Sequence, residues 1–88
     1  MDASEVMKKA IGIVEGHSKD RDIGKERAMK QIVSVFNALT GHELSELDGH
    51  MFMVCLKLVR MQRNPSELDN YVDAIGYLGM GGEVSGEE

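Results

Sequence analysis

The apolar run at residues 51–61, MFMVCLKLVRM, constrains the fold more than any other part of the chain. Its apolar residues fall on nearly every side of a helix, which is typical of a helix surrounded by protein. Lys57 and Arg60 are the charged residues within the run. Asn64-Pro65 follows it closely, and a residue before proline is disfavoured in a helix, so the chain must turn there. The pattern predicts two helices joined as a hairpin, around which everything else packs.

Start and stop signals define this hairpin. Ser45 and Asp48 form a capping-box pattern at the start of the third helix. We expect Asn64 to be the N-cap of the fourth helix and Pro65 to occupy its first turn, with Glu67 as the capping-box partner. The expected core side of the fourth helix comprises Leu68, Tyr71, Val72, Ile75 and Leu78, and its expected end is the glycine run at residues 79–82.

Two earlier helices precede the hairpin. The first is expected from Ala3 to Glu15, with Ser4 as its cap and Gly16 as its stop. Residues 17–25 are rich in charged and turn-forming types, which predicts a loop. The second helix is expected over residues 25–39 and ends at Gly41. Its apolar residues, which predict a single buried face, are Ala28, Ile32, Val35, Phe36 and Leu39.

The chain is therefore expected to be an all-α, four-helix single domain over residues 1–82, with a disordered acidic tail at 83–88. With 88 residues, two Phe, two Tyr and no Trp, the core is small for a protein that folds alone. The seven methionines fill irregular gaps. We expect a homo-oligomer, with a dimer completed through the methionine-rich faces.

Charge and cysteine content restrict the function classes. A net charge of −5, with no basic stripe interleaved with aromatics, argues against direct DNA binding. The single cysteine, Cys55, excludes an intrachain disulfide and is expected to be buried. Residues 1–5 are acidic where a secretory signal is basic, and no apolar run reaches the roughly 20 residues of a membrane span. The expectation is a soluble, intracellular protein.

The polar constellation of the hairpin is the candidate site. Lys57 and Arg60 share one helix face, and Asp69, Asp73 and Tyr77 recur at steps of four on the next helix, where Asn70 adjoins them. Leaving a cation buried and unpaired is costly, so these residues predict an ion-pair network that fixes the hairpin, an anion-binding site, or cations that reach the solvent and have no role. Arginine suits a phosphate through its two-pronged fork.

No catalytic group and no metal site are expected. His17, His42 and His50 are not spaced as two ligands on one helix, and a surface or helix-start position is expected for His50. Asp20, Asp22 and Glu26 offer oxygen ligands that Mg²⁺ prefers, together with Asp69 and Asp73. The adjacent Lys57 and Arg60 make a metal less necessary there, so Mg²⁺ belongs only to an alternative interpretation.

The hairpin also resembles a known family. Lys57-x-x-Arg60, followed by Asp69-Asn70-x-x-Asp73-x-x-Gly76-Tyr77, resembles small proteins of unassigned function encoded by tailed phages and prophages. The resemblance covers residues 18–80 and is most specific in its second half. The sequence departs from the family pattern at Gly24, which follows isoleucine where the family has tyrosine.

This family is in turn distantly similar to MazG-like all-α nucleotide pyrophosphohydrolases, whose Mg²⁺ is held by acidic pairs on two helices. By that resemblance, Asp73 matches the final aspartate, while Asn70 stands in place of a glutamate. Lys57 and Arg60 occupy the slot of the first acidic pair. Replacing carboxylates by cations removes the ligands for the metal that activates water.

The expected function is a non-enzymatic phage or prophage accessory protein that binds a host or phage protein or a nucleotide-like anion. The alternative is a MazG-like, Mg²⁺-dependent nucleotide pyrophosphohydrolase that uses Asp69, Asp73 and acids of residues 20–26. The two interpretations differ in whether the chain cleaves what it binds.

Overall fold

A computed structural model describes residues 1–19 and 28–86 of the chain. Four helices make up the described part: α1 (Ala3–Lys19), α2 (Met29–Thr40), α3 (Glu46–Arg63) and α4 (Leu68–Gly86). The described residues contain no strand. The predicted all-α class is confirmed.

The α3–α4 hairpin lies at the centre of the fold. The two helices run antiparallel, because Gly81 adjoins Leu47 at the far end while Asp73 meets Lys57 nearer the turn. α1 packs against the opposite side of α4, and Val6 and Ala10 of α1 form a buried cluster with Val72. α2 packs mainly against α3. The hairpin therefore holds the other two helices on either side.

The cap of α3 follows its prediction. The Ser45 hydroxyl accepts from the Asp48 amide at 3.1 Å, and the Asp48 carboxylate accepts from the Ser45 amide at 2.8 Å. These two bonds satisfy donors that a helix start otherwise leaves without partners. The first residue of the central hairpin is thus fixed by local chemistry.

The turn between α3 and α4 is longer than predicted. Asn64 ends α3 with its amide donating to the Arg60 carbonyl at 2.9 Å, and α4 begins only at Leu68. Asn64 is therefore not the N-cap of α4, and Pro65 lies in the turn. The Tyr71 hydroxyl donates to the Pro65 carbonyl at 2.7 Å and ties the turn to α4.

The start and end of α1 also differ from prediction. Asp2, not Ser4, caps this helix: its carboxylate accepts from the Glu5 amide at 2.9 Å. The helix passes Gly16 and continues to Lys19, so the first part of the predicted 17–25 loop is helical. Residues 20–27, including Asp20, Asp22, Glu26 and the predicted start of the second helix at residue 25, lie outside the described residues.

α2 turns its apolar stripe largely to solvent. Met29 and Val33 are buried against α3, where the absence of a side chain at Gly49 lets α2 approach closely. The residues predicted to form the buried face are instead exposed: Ile32, Val35, Phe36 and Leu39. α2 ends as predicted at Gly41, whose φ of 79° lies in the left-handed region that favours glycine.

Four further expectations were wrong. α4 continues through the glycine run at 79–82, its predicted end, to Gly86. Leu78 is half exposed. Cys55 is exposed, because it lies on the outer side of α3 away from α4. His50 is buried.

The methionines mostly lie inside the chain. Met29 and Met80 are buried and Met51, Met53 and Met61 are half-buried, which leaves Met1 and Met7 exposed. The methionine-rich faces expected to join two chains are therefore largely covered within one. Among the described residues, α2 exposes four large apolar side chains, those of Ile32, Val35, Phe36 and Leu39.

Candidate functional site

A polar cleft of about 430 Å³ opens at the turn end of the α3–α4 hairpin. Five of the six residues predicted for the site line it: Lys57, Arg60, Asp69, Asn70 and Asp73. Arg63, Asn64 and Glu67 complete the lining. The hairpin brings the predicted residues together because a short turn joins the two antiparallel helices. The polar faces of both helices meet at this end of the hairpin.

Lys57 and Asp73 form the central ion pair of this cleft. The Lys57 ammonium lies 3.0 Å from a carboxylate oxygen of Asp73. The Lys57 side chain is 11% exposed and that of Asp73 is 37% exposed, so one partner is buried and the other reaches the solvent. The Asp73 carboxylate thus compensates the charge of the Lys57 ammonium, which would be costly to bury in α3 without a partner. This is the contact that the ion-pair interpretation requires.

The arginines of the cleft are arranged differently. Arg60 and Arg63 are exposed, and within the described part of the chain neither forms an ion pair with a carboxylate. Glu67 and Asp69 are also exposed, on the facing side. Within the turn, the side-chain amide of Asn64 donates to a carboxylate oxygen of Glu67 at 3.4 Å. Among the described residues, the cleft therefore has two guanidinium groups without a carboxylate partner, beside the Lys57–Asp73 ion pair.

Tyr77, the sixth predicted residue, lies outside the cleft. Its ring is 6.3 Å, centroid to centroid, from that of His50 in the interior of the hairpin. Nε2 of His50 lies 3.9 Å from a carboxylate oxygen of Glu46, one turn earlier in α3. The continuous stripe from Asp69 to Tyr77 is therefore divided between a solvent-facing cleft and a buried aromatic contact.

Sequence reasoning missed Arg63, Asn64 and Glu67 as members of the cleft. A signal for them was present, because all three belong to the turn and so must lie at the end of the hairpin where the cleft opens. The sequence predicts Asn64 and Glu67 only as capping residues, a role that does not exclude a place in a binding surface.

No group of three or more histidine, cysteine or acidic side chains with the geometry of a metal site occurs among residues 1–19 and 28–86. The acids at positions 20, 22 and 26, on which the Mg²⁺ alternative depends, lie outside those ranges. That alternative stays a prediction.

A second candidate surface is the outer face of α2. Leu39 is 80% exposed, and Ile32, Val35 and Phe36 lie beside it on the same stripe. On α3, Phe52 is 72% exposed, and Cys55 and Val59 follow it at helical spacing. We call the four α2 residues the α2 face. Lys30 is the one charged residue of α2, and the α2 face itself contains none.

The structure contains no described helix with the length and apolar character required to cross a bilayer. Comparison with protein families matches residues 5–85 to a family described as Domain of unknown function (DUF6378). The match runs from the first turn of α1 almost to the end of α4. No curated protein and no solved structure matches the chain.

Proposed function

We propose that this protein, which belongs to the DUF6378 family, is a non-enzymatic binding protein that engages another protein through the α2 face. One observation carries the proposal: a helix with a well-formed apolar stripe exposes Ile32, Val35, Phe36 and Leu39 to solvent. Contiguous exposed apolar surface on a small protein marks an interaction site.

The exposure of Phe36 supports this proposal, since its side chain is 41% exposed. Phenylalanine is one of the residue types most often found inside a protein, and it is enriched at the centre of protein interfaces. Moving such a side chain from full exposure to full burial contributes about 1.5–3 kcal/mol. The side chains of the α2 face are between 41% and 80% exposed, so a partner that covers the face gains part of such a contribution from each of them.

The absence of charge on the α2 face points to a protein partner of the same apolar character. Nucleic acids and small anions are held by cations, which the face lacks. The resemblance of the hairpin to small phage and prophage proteins supports an accessory role in the bacterial cytoplasm. The partner in that setting is a host protein, a phage protein or a second copy of the chain.

Site-specific photocrosslinking tests the proposal. A photoreactive phenylalanine at Val35 places the reactive group on the α2 face, and the same group at Ser34 places it on the exposed side away from the stripe. Crosslinking in the bacterial cytoplasm is expected to give one discrete protein adduct from position 35 and none from position 34. A smear, no adduct, or the same adduct from both positions would refute protein binding at this face.

The cleft supports a second candidate function, the binding of a nucleotide-like anion. The free guanidinium groups of Arg60 and Arg63 favour it, since arginine forms paired hydrogen bonds with phosphate. Lys57 contributes less than the sequence suggested, because Asp73 already neutralises it.

Thermal unfolding in the presence of nucleoside triphosphates or cyclic dinucleotides tests this candidate. A ligand-dependent rise in the unfolding temperature is expected for the natural chain and should be lost in Arg60→Ala, while Lys30→Ala, a cation on α2, retains it. The absence of any shift would refute anion binding. Pyrophosphate release with Mg²⁺ that disappears in Asp73→Ala would instead establish the hydrolase alternative and overturn the non-enzymatic proposal.

A further inference from the structure

We infer that the occupant of the α2 face is a second copy of this chain, so that the protein is a two-fold symmetric dimer with α2 packed against α2. This inference rests on the proposed function and names the partner of the same surface. Three observations on the exposed area, the charge and the pattern of the α2 face carry it.

The exposed area of the α2 face contrasts with the small core of the chain. Among the described residues, the buried apolar side chains are those of Val, Ala and Met, with no Leu, Ile or Phe. The four side chains of the α2 face are between 41% and 80% exposed. A domain of 88 residues with so small a core is marginally stable alone. A second copy of the chain brings the same apolar face and completes that core.

The charge distribution restricts self-association to the α2 face. The chain carries a net charge of −5, so two copies repel each other over most of their surfaces. The α2 face is free of charge, and Lys30 is the one charged residue on the helix. Two copies that meet at this face therefore bury no like-charged pair.

The stripe is self-complementary in its spacing. Ile32, Val35, Phe36 and Leu39 follow the i, i+3, i+4, i+7 pattern of helices that pack on one another. In a two-fold dimer the same patch lies on both sides of the interface. Val35 and Phe36 lie at the middle of the stripe, so each must be close to its own counterpart at the two-fold axis.

Two measurements test the inference. Sedimentation equilibrium of the full chain at micromolar concentration is expected to give twice the monomer mass. Leu39→Glu should weaken association by about tenfold or more, since it removes a leucine that the interface buries and places a carboxylate in an apolar interface. Leu39 is 80% exposed in the single chain, so the variant should keep its helical circular dichroism. Ser34→Glu, with the same charge on the other exposed side of α2, should remain a dimer.

Disulfide formation locates the axis without disturbing the fold. In a Cys55→Ser background, Val35→Cys should form a covalent dimer under mild oxidation because the two sulfurs lie close to the symmetry axis. Ser34→Cys in the same background should form no covalent dimer. A monomer mass for the natural chain would overturn the dimer, as would equal disulfide formation at positions 34 and 35. A monomer that still gives a foreign photocrosslinked adduct at position 35 would refute the dimer alone and leave protein binding at α2 established.

Discussion

The α3–α4 hairpin and α2 are built from similar amphipathic sequence but have opposite relations to solvent. In the hairpin, α4 is covered on one side by α3 and on the other by α1, and even a charged side chain, Lys57, is buried with its partner Asp73. In α2, one edge of the apolar stripe contacts α3, and the rest is exposed. Helical periodicity therefore identifies an apolar face that favours burial. It does not determine whether the same chain or another molecule buries that face.

The largest effect is expected from removing the acid of the central ion pair. Asp73→Ala leaves the Lys57 ammonium almost buried without its carboxylate. Breaking a buried pair costs about 3–5 kcal/mol, and because Asp73 is partly exposed we expect a loss of about 2–3 kcal/mol in the free energy of unfolding. Urea denaturation followed by circular dichroism measures it.

A double variant provides the control for this prediction. Lys57→Met combined with Asp73→Leu removes both charges and fills similar volume, so its stability should lie within about 1 kcal/mol of the natural chain. If Asp73→Ala alone proves as stable as the natural chain, the pair does not hold the hairpin, and the contrast with α2 is lost.

A smaller effect is expected where α2 meets the hairpin. A methyl group at Gly49 would overlap Met29 and the branched Val33 side chain. Overpacking costs about 1–3 kcal/mol, which exceeds the gain of up to about 1 kcal/mol from replacing a helical glycine. Gly49→Ala should therefore destabilise the chain by about 1 kcal/mol in thermal unfolding and displace α2. Unchanged or increased stability would mean that α2 does not approach α3 at this point.

Gly12→Ala is the matched substitution in α1 and should have the opposite sign. A methyl group at Gly12 meets no atom within 4 Å. Replacing this glycine should stabilise the helix by about 0.5–1 kcal/mol because the unfolded chain loses conformational freedom. The same unfolding experiment measures it, and a loss of stability would indicate a contact at this position.

The smallest effect on the stability of a single chain is expected at the α2 face. Leu39→Gln at high dilution should change the free energy of unfolding by no more than about 0.5 kcal/mol, since the side chain is 80% exposed. The variant should matter only at concentrations where chains associate. A loss of several kcal/mol at high dilution would show that Leu39 is buried within one chain and would remove the basis for the binding surface.

Local chemistry made most of the helical framework predictable. The capping box of Ser45 and Asp48 and the left-handed Gly41 depend on side chains within a few residues, which a sequence displays directly. The Lys57–Asp73 pair was also predictable, since a cation in an apolar helix requires a partner and the hairpin offered few.

The predictions that were wrong depended on packing between segments that are distant in the sequence. The burial of His50 and the exposure of Cys55 both follow from how α3 is rotated against α4, which residue types alone do not determine. The glycine run after Leu78 predicts a helix end, yet Gly81 lies close to Leu47 and Met51, so packing against α3 favours a helix there. The separation of Tyr77 from the cleft has the same origin.

Amide hydrogen exchange at two protein concentrations about 100-fold apart tests the central claim most directly, because association protects only the surface that it covers. We predict that protection of residues 29–40 in α2 rises with concentration, while that of the α3–α4 hairpin remains the same. Protection of α2 that does not depend on concentration would contradict the claim that its apolar face acts between chains.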